Sequence, residues 1–240
     1  NGDNHPAVAT SYSYIGQIYF AQNDYSKALD YFKKSLKLDL SFFGENHPSV
    51  ASGYYNIGYV YFAQGDYSKA LEYFEEVLKI RLSVYGENHS RVASVYNDIG
   101  EIYSVQGDDF KALDYFKKSL KIVLSVYGEN HSQVSSIYDH IGEIYFAQKD
   151  YSKALYYFEE SLKIRLSLFG ENHPEVALSY YSIGSLYIIQ GDKSKALNYY
   201  EKSLKIRLSV YGENHPLTKE IMDLINVANS KVLQSPETTK

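Results

Sequence analysis

The sequence predicts an all-α protein, an α-solenoid built from stacked helix-turn-helix repeats. Two observations carry this prediction. Apolar side chains recur at steps of three or four residues, which is the period of an amphipathic helix. The same sequence motif also begins again every 42 residues, at Asp3, Glu45, Glu87, Glu129, Glu171 and Glu213. A fixed period of this size indicates a repeat architecture, because one small unit cannot bury its hydrophobic face without a neighbour.

The repeat period sets the expected domain organisation. We expect a single solenoid domain over residues 1–233, closed by a C-terminal capping helix over 213–233 and followed by a disordered tail over 234–240. The five complete copies span 3–44, 45–86, 87–128, 129–170 and 171–212.

Each copy contains two predicted helices, as the second copy shows. Apolar spacing places the first helix at about 48–64 and the second at about 67–84. Pro48 suits a first helical turn, and Asp66 can cap the second helix through its carboxylate. Gly86 is a typical C-terminal cap that releases the chain into the next loop.

Small residues mark where the helices approach most closely. A glycine inside a helix costs about 1 kcal/mol relative to alanine, so its recurrence indicates close helix packing. The recurring glycines of the first helix are Gly16, Gly58, Gly100, Gly142 and Gly184. The recurring alanines of the second helix are Ala28, Ala70, Ala112, Ala154 and Ala196.

Composition disfavours several classes of partner. The net charge is −5 and no run of lysine and arginine is present, so nucleic acid and anionic membrane surfaces are poor candidates. The absence of cysteine excludes disulfides and thiolate metal sites. No apolar run approaches the roughly 18 residues of a membrane-spanning helix. We expect a cytoplasmic protein without a cofactor.

The repeated residues resemble a known family. The order Tyr54, Ile57, Gly58, Tyr61, Gly65, Tyr67, Ala70 and Phe74 is similar to the tetratricopeptide repeat. The 42-residue period and the Glu-Asn-His-Pro loop resemble the variant found in kinesin light chains and nephrocystin-like proteins. This resemblance implies a right-handed superhelical solenoid whose concave face, lined by the first helices, holds a peptide or protein segment.

The resemblance also implies which side chains face that groove, namely the variable positions around each Ile-Gly pair. They are Tyr14, Gln17, Tyr55, Asn56, Tyr59, Phe62, Asn97, Asp98, Glu101, Asp139, His140, Glu143 and Tyr181. Four of these are carboxylates and none is a lysine or arginine, which predicts a groove for a basic and apolar segment. The alternative is that they are ordinary solvated polar residues. The lysines and arginines of the recurring SLKIRL segments are expected on a solvated outer face.

Two ligand types of the family fit this groove poorly. Domains that grip acidic C-termini use Lys, Arg and Asn in a carboxylate clamp, and kinesin light chains bind acidic-aromatic cargo through basic groove residues. The predicted groove here has the opposite charge. Asn56 and Asn97 nevertheless match the positions that hold peptide backbone in kinesin light chains.

Histidines raise the question of metal or catalytic chemistry. Six of the seven occupy one loop position, a whole repeat apart, at His5, His47, His89, His131, His173 and His215. We expect them to help start each first helix and not to share an ion. His140, beside Asp139 and Glu143, is more readily explained as a lone groove residue than as a metal ligand. Catalytic motifs are absent from the sequence, so we expect no enzyme activity.

The two ends of the array differ. After Pro216 the closing helix keeps an inward stripe in Ile221, Ile225 and Val232 among new polar residues, as a cap requires. No capping helix precedes the first copy, and its bare face predicts a possible homo-oligomer. A structural spacer or self-assembling repeat module without a groove ligand is therefore the alternative function.

Overall fold

The protein is all-α over residues 6–230, the range that the computed structural model describes. Eleven helices and no strand are found in this range. They are α1 Pro6–Ala21, α2 Tyr25–Phe43, α3 Pro48–Ala63, α4 Tyr67–Tyr85, α5 Ser90–Val105, α6 Asp109–Tyr127, α7 Ser132–Ala147, α8 Tyr151–Phe169, α9 Pro174–Ile189, α10 Lys193–Tyr211 and α11 Pro216–Ser230. His5, Val232 and the predicted tail lie outside the described residues.

The chain divides into two compact units, with the boundary after Val126. In unit 1, α1 packs against α2 and α3 against α4, while α2 also contacts α3 and α4 contacts α5. Unit 2 repeats this arrangement, with α8 between α7 and α9 and α10 between α9 and α11. A second helix therefore packs on its own first helix and on that of the following copy. This is the predicted all-α repeat solenoid.

The helix boundaries follow the sequence signals closely. In the second copy the helices run over Pro48–Ala63 and Tyr67–Tyr85, within about a residue of the prediction. The Asp66 carboxylate accepts the backbone N–H of Lys69 at 3.3 Å, as a helix cap should. Gly65, just before it, has a φ of +78°, a left-handed conformation that glycine adopts without a steric penalty.

The loop histidines cap the first helices, as predicted. His47 Nδ1 accepts the backbone N–H of Ser49 at 3.2 Å. The same bond recurs at His89, His131, His173 and His215. Each imidazole also stacks on the aromatic ring four residues earlier, a contact that the sequence analysis did not anticipate. The rings concerned are Phe43, Tyr85, Tyr127, Phe169 and Tyr211.

Each unit has its own hydrophobic core, centred on the recurring small residues. The five predicted alanines of the second helices are all fully buried. In unit 1 the core includes Ile57, Phe74 and Ile99. In unit 2 it includes Ile183 and Leu186. The positions predicted for closest packing are thus the ones that water does not reach.

Two helix glycines of unit 1 differ in how tightly they are enclosed. A Cβ atom added at Gly100 would lie 2.8 Å from Cε1 of the buried Phe116 ring. At Gly58 the nearest atom would be the Cβ of Tyr73, at 3.1 Å. We expect Gly100→Ala to lower the free energy of unfolding by about 1 to 2 kcal/mol, because overpacking outweighs the better helix propensity of alanine.

Gly58→Ala is the matched variant, and we expect its stability to stay within about 0.5 kcal/mol of the original, since overpacking and propensity nearly cancel there. Urea unfolding of both variants measures the difference. A larger loss for Gly58→Ala than for Gly100→Ala would contradict the packing described here.

Within residues 6–230, none of the helices combines the length and the apolar character that crossing a membrane requires.

Candidate functional site

The first helices of unit 1 carry an aromatic cluster, formed by Phe20, Tyr55, Tyr59 and Phe62. The Tyr59 ring centroid lies 5.6 Å from that of Phe20, 6.2 Å from that of Tyr55 and 6.1 Å from that of Phe62. Tyr59 remains 44% exposed. On α1, Tyr14 is 62% exposed and Gln17 is exposed as well. Five predicted groove residues therefore lie at or near the surface of α1 and α3, and three of them belong to the aromatic cluster.

Asp98, one of the predicted groove carboxylates, is largely enclosed by its neighbours. The Tyr55 hydroxyl forms a hydrogen bond with its carboxyl group. The Arg81 guanidinium lies over the Tyr55 ring, 5.3 Å from the centroid. Burial, followed by the negative charge of Glu101, raises the pKa of Asp98 to about 7, against the opposing effects of Tyr55 and Arg81. With this raised pKa, Asp98 carries less than a full negative charge at neutral pH, so it is a weaker ionic partner for a ligand cation than an exposed carboxylate.

The two predicted groove amides of unit 1 are engaged with neighbouring side chains. Asn97 Nδ2 donates to Glu101 Oε1 at 2.6 Å, within α5. Asn56 Nδ2 donates to Ser13 Oγ at 3.3 Å, which links α3 to α1. Asn97 Oδ1 is buried and accepts no hydrogen bond from the described part of the chain, so it is not accessible to a ligand backbone.

In unit 2, Asp139 is not free either, because it is paired with an arginine of the second helix. Arg165 Nη2 lies 2.6 Å from Asp139 Oδ2 and 3.0 Å from Glu175 Oε2. Arg165 Nη1 donates to Ser179 Oγ at 2.7 Å. Burial raises the pKa of Asp139, and Arg165 is the largest opposing influence. A ligand cation would have to compete with Arg165 for this carboxylate.

The expectation that the arginines lie on a solvated outer face is wrong. Arg165 and Arg207 are each only 4% exposed, and Arg81 is half-buried. Arg207 Nη1 donates to the Leu217 carbonyl at 2.6 Å, and its guanidinium lies over the Tyr181 ring. The physical reason is the length of the arginine side chain, which extends from the second helix to the first helix of the next copy. There its guanidinium contacts carbonyl, hydroxyl and carboxylate acceptors.

The sequence contains a signal that Arg81, Arg165 and Arg207, here called the inward arginines, do not face solvent. The position reads Asp39, Arg81, Val123, Arg165 and Arg207 in the five copies. A solvated position rarely alternates between an anion, a cation and a valine, whereas a position at a helix interface must match whatever faces it.

The remaining predicted residues of unit 2 are Glu143, His140 and Tyr181. Glu143 is exposed and His140 is partly buried, and both lie close enough to Asp139 to influence its pKa in opposite directions. The Tyr181 hydroxyl donates to Glu220 Oε1 of α11 at 3.1 Å. Within the described part of the chain, no group of three or more His, Asp or Glu side chains is placed to hold a metal ion.

The sequence model of the tetratricopeptide repeat family matches residues 1–41, 38–83, 49–125, 91–167 and 133–209. These matches cover most of the chain, which therefore belongs to the tetratricopeptide repeat family. Tetratricopeptide repeats form protein-interaction scaffolds, and this chain is such a scaffold. A comparison with curated proteins finds no significant match.

Solved structures with the same fold include kinesin-light-chain-like repeat proteins. BtubC (BKLC) from P. vanneervenii has a TM-score of 0.77 at 24% identity, over 88% of this chain and 84% of that one. A putative kinesin light chain from Podosopora anserina, with nearly identical TPR-like repeats, has a TM-score of 0.72 at 17% identity, over 86% and 98%. A Rap protein complexed with competence and sporulation factor has a TM-score of 0.65 at 18% identity, over 91% and 64%. At these identities the likeness shows the fold alone.

Proposed function

We propose that this protein is an interaction scaffold that binds a peptide or protein segment of basic and apolar character on the face formed by its first helices. The observation that carries the proposal is the aromatic cluster of unit 1, with Tyr59 exposed at its centre and Tyr14 exposed on the neighbouring helix. Membership of the tetratricopeptide repeat family supports the proposal, as does the complex of the structurally similar Rap protein with competence and sporulation factor.

Aromatic side chains suit this role for a physical reason. A tyrosine ring offers a large area for burial, loses little conformational entropy and keeps a hydroxyl for hydrogen bonding. Tyr59 is held by Phe20, Tyr55 and Phe62, so its ring is already positioned before a ligand arrives. Preorganisation of this kind lowers the entropic cost of binding.

The preference for a basic segment rests on fewer groups than the sequence analysis expected. Arg165 already pairs with Asp139, and Asp98 is enclosed beside Tyr55 and Arg81. Glu143 is the predicted carboxylate that stands exposed. The apolar contacts are thus expected to supply most of the binding energy, and the charge to add selectivity.

The proposal is tested by selecting peptides from a displayed library against the full chain and measuring their affinity for variants. The double variant Tyr14→Ala with Tyr59→Ala is expected to weaken the selected peptides by about 30-fold or more, the effect of losing an interface hot spot. Glu143→Lys tests the first helices of unit 2 separately, and should weaken peptides that contain Lys or Arg more than neutral ones.

Phe110→Ala is the matched control, because Phe110 is an 83% exposed aromatic residue on the second helix α6. Its affinities are expected to equal those of the original chain. Selected peptides that bind the double tyrosine variant with unchanged affinity would overturn the proposed surface. Selection of no peptide, together with concentration-dependent association of the unliganded chain in sedimentation, would favour the alternative of a self-assembling spacer.

A further inference from the structure

Unit 1 contains a polar cavity of about 240 Å³ between α1, α2 and α3. Its walls include Ser13 of α1, Asp39 of α2, and Ser49, Ser52 and Asn56 of α3. One water molecule occupies about 30 Å³ of liquid, so the cavity has room for a sizeable head group. No lysine or arginine belongs to its described lining.

The repeat period identifies what fills the corresponding space in another copy of unit 1. Arg81 stands 42 residues after Asp39, at the same position of the second helix. Its Nη1 atom donates to the Arg91 carbonyl at 2.8 Å and to Ser94 Oγ at 3.0 Å. The residues 42 positions before those two acceptors are Ser49 and Ser52, which both line the cavity. The cavity is therefore the place where the second copy holds a guanidinium.

Unit 2 uses the same position in the same way, so an arginine is absent there only in the first copy, which has Asp39, and in the third, which has Val123. Arg165 reaches Ser179 and Glu175, and Arg207 reaches the Leu217 carbonyl, each on the following first helix. In the first copy the position carries an aspartate, which is shorter and of opposite charge. The acceptors remain, but the internal donor is absent.

Asp39 is the second observation that points to a ligand. Its side chain lines the cavity and the residue is only 9% exposed. Among residues 6–230, no side chain or backbone group forms a hydrogen bond or an ion pair with its carboxylate. Burial raises the pKa of Asp39, and the positive influence of His47 offsets this only in part. A buried carboxylate in this state gains most from a cation that enters the cavity.

We propose that this cavity binds the side chain of an arginine from the partner segment, with its guanidinium in the place that Arg81, Arg165 and Arg207 fill from within the chain. The choice of a peptide as the source of the arginine rests on the function proposed above. Asp39, the Ser49 carbonyl and the Ser52 hydroxyl supply acceptors on several sides, which suits the planar fork of five N–H donors better than a lysine ammonium. Tyr14 also lines the cavity and is exposed, so its ring stands at the entrance.

The test uses the full chain, labelled with ¹⁵N, and N-acetyl-arginine N-methylamide as the probe. The amide signals of Ser49, Ser52 and Gly53 are expected to shift on titration. The isosteric citrulline compound, which is neutral, should bind at least tenfold more weakly. Asp39→Asn should also weaken the arginine probe at least tenfold, since it keeps the shape and removes the charge.

Asp39→Arg introduces the residue that the second, fourth and fifth copies have at this position. We expect it to abolish the probe-induced shifts and to raise the melting temperature, because the internal guanidinium then occupies the cavity. Asp30→Asn is the matched control on the same helix, since Asp30 forms an exposed pair with Lys34. It should leave probe binding unchanged.

Three outcomes decide the matter. Probe shifts that persist unchanged in Asp39→Arg would overturn the cavity proposal without touching the scaffold proposal, which is judged by the Tyr14 and Tyr59 variants. Probe binding that depends on Asp39, in a chain that selects no peptide, would uphold the guanidinium site and count against the scaffold. Free arginine carries an α-ammonium and an α-carboxylate in place of the two amide groups of the blocked compound, and should bind no more tightly than that compound; tighter binding would overturn the assignment to a peptide-borne arginine.

Discussion

Replacing Arg165 by methionine is expected to lower the free energy of unfolding by about 3 kcal/mol. The change leaves Asp139, whose side chain is 20% exposed, without its partner at 2.6 Å. Removing one member of a buried ion pair costs roughly 3 to 5 kcal/mol, because the remaining charge is uncompensated. Glu175 is 46% exposed and can be solvated instead, which places the expected value at the lower end.

Two further variants show whether the ion pair is the cause. Arg165→Met combined with Asp139→Leu removes both charges, and we expect its stability to return to within about 1 kcal/mol of the original chain. Lys163→Met on the same helix removes a lysine that is 75% exposed, and should change stability by less than about 0.5 kcal/mol. Guanidinium chloride unfolding provides the values. A double variant as unstable as Arg165→Met alone would show that packing, and not charge, is responsible.

Asp98→Asn is expected to stabilise the protein, by an amount that grows as the pH rises from about 4 to about 8. The pKa of Asp98 is raised to about 7 in the folded chain, chiefly by burial and then by Glu101. In the unfolded chain an aspartate titrates near pH 4, so between these values the folded state holds the extra proton. Stability therefore falls with increasing pH across this window.

The size of the effect follows from the shift. The interval of about three pH units between the two titrations corresponds to an upper limit of about 4 kcal/mol above pH 7. The difference should become small near pH 4, where the Asp98 carboxyl group is protonated in the folded chain and is as neutral as the asparagine amide. Unfolding free energies of the original chain and of Asp98→Asn, measured from pH 4 to pH 8, give the difference directly. Asp114→Asn, at a half-exposed pair with Lys118 in the same unit, is the control and should add no such slope. Parallel curves for Asp98→Asn and the original chain would contradict the burial of Asp98.

The fold followed from the sequence because the signals that specify a helical repeat are local. Periodicity and capping residues placed the helices of the second copy over Pro48–Ala63 and Tyr67–Tyr85 to within about a residue. Because the motif recurs every 42 residues, the same two helices are predicted in each of the other copies. The loop histidines were also interpretable, since a cap is a contact between residues two positions apart, as between His47 and Ser49.

The candidate site was less accessible to the same reasoning. The spacing within one copy indicates which positions face the groove, but Tyr55 meets Asp98 from the next copy, and Arg165 meets both Asp139 and Glu175. Whether a carboxylate is free depends on such contacts across the stack, which the spacing along one helix does not reveal. The comparison of Asp39, Arg81, Val123, Arg165 and Arg207 was the available signal, and its meaning depends on knowing that the side chains point inward.

The inward arginines also bear on how near-identical hairpins keep their order along the chain. Arg165 meets Glu175 at the second residue of α9, whereas the same place on α5 is occupied by Arg91. A hairpin docked two copies out of sequence would exchange attraction for repulsion between like charges. Apolar seams alone would be nearly interchangeable, so the uneven distribution of charge among the copies penalises swapped or slipped assemblies during folding.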